Sequence, residues 1–318
     1  MLTTIPGPCY AQLNERLVAS IEESVTAVSS PISPGTHDSL DVAAKRLRAL
    51  SAAHSSGSQG KPAIRLDGVT HYFVSQNQAA RVVDDISFEM PAGQFLAIVG
   101  PSGCGKTTVL NMIAGLVSPS VGHVWRNGSP VAETGRDIGY MLARDSLLPW
   151  RTAQANIEMG LEVRDVPRAS RRVTAERLLN ALSLRGLGEL YPSQLSQGMR
   201  QRVALARTLA YEPAFLLMDE PFAALDAQTR LMVQAEFIRV WEGTGTSVVF
   251  VTHDLEEAVV LADRVMVFSA RPARILLDIM VPLTRPRSVE SARYGEEFDR
   301  THREIWRHLR DEVVRASA

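Results

Sequence analysis

Phe95-Leu96-Ala97-Ile98-Val99 runs straight into Gly100-Pro101-Ser102-Gly103-Cys104-Gly105-Lys106-Thr107-Thr108. Five consecutive apolar residues, too few for a helix, read as a strand buried on both faces. The loop after it fits G-x-x-x-x-G-K-[ST], and a helical pattern follows. The chemistry asks for these residue types. Glycines let successive backbone N–H groups curl around phosphate oxygens, and the next helix adds its positive N-terminus. Lys106 offers a compact charge to β and γ phosphates, and Thr107 a hydroxyl for Mg²⁺. Lys45, Lys61 and Lys106 are the only lysines among 34 basic residues, so a lysine kept in this loop is informative.

Two more apolar runs resemble the first. Phe215-Leu216-Leu217-Met218 is followed by Asp219 and Glu220, and Val248-Val249-Phe250-Val251 by Thr252 and His253. An acid at a strand end beside a phosphate site is a candidate to hold a metal, and a second acid can orient or deprotonate water. Taken singly, the acids read equally well as a solvated pair and His253 as a structural histidine. Taken together, three polar elements each close a separate buried strand. In an open parallel sheet those ends lie side by side and form the ligand crevice.

Further strands are expected around Ile64, Leu66 and Val69, over residues 82–90, and over residues 265–268. The stretch from about 150 to 212 is arginine-rich and helical in pattern, suggesting a helical insert. Phe298, Ile305, Leu309 and Val313 space out a terminal amphipathic helix. Within the insert, Leu195-Ser196-Gln197-Gly198-Met199-Arg200-Gln201-Arg202 opens a helical run, so Ser196 is either an ordinary N-cap or, with Gly198, a second anion site. Residues 1–60 read as an extension, with two helical spacings broken by Pro31 and Pro34 and a small polar linker over 51–60. It is either a loosely held tail or a partner-binding helix pair.

The 318-residue composition is that of a soluble α/β protein, and a net charge of −1 gives no basic field for nucleic acid. No apolar run approaches the length of a membrane span; the best late one is broken by Asp263 and Arg264. The N-terminus lacks a secretory pattern, and Glu15, Glu22 and Glu23 are out of place in a transit peptide. Cys9 and Cys104 are too differently placed to suggest a structural disulfide, which fits a reducing cytosol.

The phosphate loop, the L-S-x-G segment 95 residues later and the acid pair soon after it make the chain resemble the ATPase subunit of an ABC transporter, over about residues 62–290. The resemblance implies an α/β ABC-type P-loop ATPase with a mostly parallel core sheet, antiparallel N-terminal strands and a helical subdomain at about 143–212. It divides the chain into an extension (1–60), an ATPase domain (61–290) and a C-terminal helix (291–318). It further implies a Walker A loop over residues 100–108, with Gly100, Pro101, Ser102, Gly103, Cys104, Gly105, Lys106, Thr107 and Thr108 on ATP. Thr107 and Asp219 would hold Mg²⁺, Glu220 would be the catalytic base, and Lys106 and His253 would act on the γ-phosphate. Asp226 belongs to the D-loop, and Phe73, or its neighbour Tyr72, stands where the family stacks an aromatic on adenine. Family members pair head to tail, so Ser196 and Gly198 would complete the ATP site of a second ATPase subunit, here expected to form a homodimer.

Leu147-Leu148-Pro149-Trp150, Gly198-Met199-Arg200-Gln201-Arg202, the run from Met218 to Asp226 and Ser269-Ala270-Arg271-Pro272 look like the nitrate/sulfonate/taurine importer subfamily. That resemblance implies transmembrane permease subunits docking near residues 147–150 and an indirect link to a solute-binding protein, with no nucleic acid. It also implies a peripheral place on the cytoplasmic face of a bacterial inner membrane. Three residues depart from the family pattern: Gln197 stands where glycine is usual, Met199 where glutamine is usual, and Ala143 where the Q-loop glutamine is expected. Alanine cannot approach Mg²⁺ or the attacking water, so reduced or weakly coupled ATPase activity is expected. A weakly hydrolysing regulatory subunit and a non-transport ABC ATPase are the alternatives, the latter without its usual coiled coil or tandem units here.

Overall fold

A computed structural model describes residues 62–75 and 78–317. The expected N-terminal extension lies outside the described residues. Ten strands appear in chain order: β1 (Ile64–Ser75), β2 (Gln78–Met90), β3 (Phe95–Val99), β4 (Val121–Arg126), β5 (Ser129–Pro130), β6 (Ile138–Met141), β7 (Phe215–Asp219), β8 (Ser247–Thr252), β9 (Arg264–Phe268) and β10 (Ile275–Met280). The helices are α1 (Lys106–Ala114), α2 (Ala153–Glu162), α3 (Arg168–Ala181), α4 (Gln197–Leu209), α5 (Ala227–Trp241), α6 (Leu255–Leu261) and α7 (Glu296–Ser317).

The strands make two sheets. One has six strands in the order β10-β9-β3-β8-β7-β6, parallel except for the β10 edge. The other has four antiparallel strands in the order β2-β1-β4-β5. This is the mostly parallel core with antiparallel N-terminal strands that the sequence implied.

Period-two alternation divides the core strands between two hydrophobic cores. Phe95, Ala97 and Val99 of β3, with Val248 and Phe250 of β8, face a core filled by α2 to α7. Leu96 and Ile98, with Val249 and Val251, face a second core shared with α1 and the antiparallel sheet. The central strands therefore have no wet face, which is why they read as unbroken apolar runs. Phe95 packs edge-on against Trp241 and Phe250, with centroids 5.2 Å and 5.7 Å away. Phe298, Ile305 and Leu309 bury the apolar stripe of α7 in the first core.

β4, β6 and β10 carry no all-apolar run and are not anticipated from the sequence. The first has mostly exposed or half-buried residues, and the last alternates half-buried with exposed ones at a sheet edge. Among the described residues no helix is long and apolar enough to cross a membrane.

Candidate active site

β3 and β8 are parallel neighbours with Val99 opposite Thr252, and β8 and β7 with Val251 opposite Asp219. The carboxyl ends of the three strands therefore form one edge. This brings residues 100–108, His253 and the Asp219–Glu220 pair together, as the sequence pattern required.

The loop from Gly100 to Gly105 bends so that α1 begins at Lys106. Gly105 sits at φ +127°, and a Cβ there would lie 3.0 Å from the Val82 carbonyl, so the turn admits only glycine. Lys106 is 5% exposed, and its ammonium donates to the carbonyls of Gly100 (2.7 Å) and Pro101 (2.9 Å). An ammonium has three N–H donors, so one remains for a ligand in the loop. Cys104 is buried behind the loop, and burial pushes its thiol pKa up, although Lys106 opposes the shift.

Thr107 Oγ1 lies 2.9 Å from Asp219 Oδ2 and 3.2 Å from Oδ1. Burial raises the Asp219 carboxyl above its ordinary value; the Thr107 hydrogen bond lowers it and Glu220 adds to the rise. A hydroxyl and a carboxylate together offer only hard oxygen donors, which fits Mg²⁺. That ion commonly takes one or two protein oxygens and completes its shell with phosphates and water.

Glu220 adopts φ +48°, in the left-handed region that a side chain rarely occupies. Its N–H donates to the Val251 carbonyl at 2.9 Å, which holds the turn against β8. A strained residue held this way is a candidate for a functional role. Glu220 Oε2 stands 3.2 Å from His253 Nδ1. The two side chains are 29% and 56% exposed respectively, leaving both open to a ligand at the edge.

Ser196 caps α4, its Oγ accepting from the Met199 N–H at 3.3 Å. Gly198 packs on α5, where a Cβ would stand 2.4 Å from Thr229 Cγ2. Among the described residues no hydrogen bond or ion pair joins Ser196 or Gly198 to residues 100–108. Asp226 caps α5, and the Thr229 N–H it accepts at 2.9 Å helps hold its carboxyl below the ordinary value. Phe73 is 48% exposed and edge-on to His71 at 4.7 Å, whereas Tyr72 is 37% exposed with Arg81 lying 5.8 Å from its ring centre. Both aromatics remain available on β1.

Several residues that the sequence reading passed over frame the site. The Gln201 side-chain amide donates to the Pro221 carbonyl and so ties α4 to the turn bearing Glu220. Arg230 reaches the Leu225 carbonyl at 3.0 Å and the Asp254 carboxylate at 3.2 Å, joining the turn before α5 to the one after β8. Both sit in helices whose periodicity gives no sign of a long-range contact.

The ABC transporter family profile matches residues 83–223. An ABC transporter ATP-binding protein of Methanocaldococcus jannaschii, MJ0412, is 42% identical over 256 residues, spanning 80% of this chain and 94% of the relative. This chain belongs to the ABC transporter ATP-binding family. As such it binds and hydrolyses ATP. The taurine import ATP-binding protein TauB of Yersinia pestis is 42% identical over 202 residues, 64% of this chain and 79% of TauB. Among solved structures, the ATP-binding cassette MJ0796 in a dimeric post-hydrolysis state with ADP and Pi is 29% identical. It covers 70% of this chain and 100% of its own, with a TM-score of 0.62.

Proposed function

We propose that this ABC ATPase energises an importer of small solutes of the nitrate, sulfonate or taurine kind, working as a head-to-tail dimer beneath a transmembrane permease. The observation that carries the catalytic part is the strand edge, where Thr107 Oγ1 meets Asp219 Oδ2 at 2.9 Å and Glu220 Oε2 faces His253 Nδ1 at 3.2 Å. The importer part is supported by the 42% identity to TauB. The dimer is supported by the dimeric cassette MJ0796.

In this reading ATP lies along residues 100–108, with Phe73 or Tyr72 against adenine. Backbone N–H groups and the free N–H of Lys106 meet the phosphate oxygens. Thr107 and Asp219 hold Mg²⁺, which when bound neutralises charge on the β and γ phosphates. Glu220 orients and deprotonates the water in line with the γ-phosphate, and His253 holds the transferred group. Asp226, Ser196 and Gly198 serve the partner's nucleotide. Hydrolysis therefore needs two copies, and the peripheral cytoplasmic location follows from docking on a permease.

Replacing Glu220 removes the base and leaves the phosphate cradle. The Glu220→Gln variant should keep ATP binding while turnover falls about a hundredfold or more, with Lys106→Ala as the control that loses binding. Normal turnover by Glu220→Gln would remove the assigned role. A second reading, a weakly hydrolysing regulatory subunit, is favoured by Ala143 and Gln197, and the wild-type turnover number against that control separates the two.

A further inference from the structure

Glu257 is a carboxylic acid on α6 with 3% exposure, and neither nucleotide nor metal chemistry uses it. Its Oε2 accepts from Thr252 Oγ1 at 2.7 Å and its Oε1 from Gln234 Nε2 at 2.9 Å. Arg230 Nε stands 3.8 Å from Oε1. Thr252 Oγ1 also accepts the Asp254 N–H at 3.0 Å, and Asp254 Oδ1 accepts the N–H groups of Glu256 and Glu257. The backbone is thus gripped on both sides of His253, from β8 and from α6, with Glu257 as the anchor. Arg230 extends the same set to the Leu225 carbonyl, next to Asp226.

We propose that Glu257 is a positioning residue for His253: its Oε2 holds Thr252 in either protonation state, and as a carboxylate its Oε1 also keeps Arg230 in register beside the Thr252-His253-Asp254 turn, whereas on taking up a proton it releases Arg230 and slows hydrolysis. The proposal rests on the reading of His253 as the residue that holds the transferred phosphate. Gln234 marks how the protonated form is accommodated. This side chain is fully buried, and its Oε1 has no hydrogen-bond partner among the described residues. A proton on Glu257 Oε1 gives that oxygen a donor once the Gln234 amide turns over, at the cost of the Nε2 bond and of the attraction for Arg230. Burial pushes the Glu257 carboxyl up to about 7; Asp254 adds to the rise, while Thr252, Arg230 and His253 oppose it. The change of state therefore falls near neutral pH.

The experiment is the pH dependence of kcat for ATP hydrolysis by the full chain. Wild type should lose about tenfold between pH 8 and pH 6. Glu257→Gln, which cannot ionise, should run flat at the lower rate with its KM for ATP within about twofold of wild type. Glu257→Asp should restore the acid limb. At pH 8, Arg230→Gln should slow turnover, and the double variant Glu257→Gln with Arg230→Gln should be no slower than the worse single, because the two act as one unit. A Glu257→Gln enzyme that keeps the wild-type limb, a wild type flat from pH 6 to 8, or a double variant whose losses multiply overturns the proposal. Should Glu257→Gln not fold, the Glu257→Asp and Arg230→Gln profiles decide. Failure of the His253 reading is seen separately, as unimpaired turnover by His253→Ala.

Discussion

Arg200 Nε on the first turn of α4 lies 2.9 Å from Asp145 Oδ2 in the loop after β6. The same helix sends Arg207 to the carbonyls of Asp145 and Ser146, both at 2.8 Å. The loop that would meet the permease therefore rides on the helix that begins at Ser196 and Gly198. In the proposed assembly, force applied at residues 147–150 would be passed along this helix toward Ser196 and Gly198.

Cutting one strut tests that coupling. Asp145 and Arg200 are partly exposed, so Asp145→Ala should change stability by less than about 1 kcal/mol. Permease-stimulated hydrolysis in membrane vesicles should nevertheless fall severalfold, while hydrolysis by the isolated chain stays level. Equal losses in both assays would place Asp145 outside the coupling path.

Ala143 bears on the same loop. A glutamine there could reach toward the metal and the attacking water, as the family resemblance implies. Ala143→Gln should raise permease-stimulated hydrolysis above wild type, and an unchanged rate would mean that the loop does not use this position.

A buried amide also holds the turn over residues 147–150. Asn156 is fully buried; its Oδ1 accepts the Leu148 N–H at 2.8 Å, and its Nδ2 faces the carbonyls of Leu148, Arg151 and Thr152 at 3.0 to 3.1 Å. Asn156→Ala takes this partner from the Leu148 N–H and the Arg151 carbonyl and should cost about 2–3 kcal/mol, read as a lower thermal midpoint. Because the turn also presents exposed Trp150, permease co-purification should weaken in the same variant.

The sequence made the strand-edge group visible because each member follows closely on an apolar run. Lys106, Asp219, Glu220 and His253 needed no tertiary knowledge beyond the rule that parallel strand ends share an edge. The long-range contacts of Arg200, Gln201, Arg230 and Glu257 were hidden for a physical reason. Each residue sits on a helix and acts across 20 or more residues of sequence or into a turn, and a helical period reports which face is apolar, not which polar partner waits there. Glu257 in particular looks like one of two adjacent helix acids, and only burial separates it from Glu256. The edge strands β4 and β10 were hidden because they are only partly buried.

Glu257 also sets a stability profile opposite in sense to that of a salt-bridged acid. Its carboxyl rises from an ordinary 4.5 to about 7 in the folded chain. Between those values the folded state holds more protons than the unfolded state, so this group's contribution falls as pH rises and is lost above the upper value. The loss amounts to roughly 3 kcal/mol. Glu257→Gln has nothing to titrate, so its urea midpoint should improve relative to wild type from pH 5 to pH 8. Parallel midpoints over that range would mean that burial does not raise the carboxyl. A Glu257→Gln chain both sturdier and slower at pH 8 would locate the role of this acid in holding His253 rather than in holding the fold.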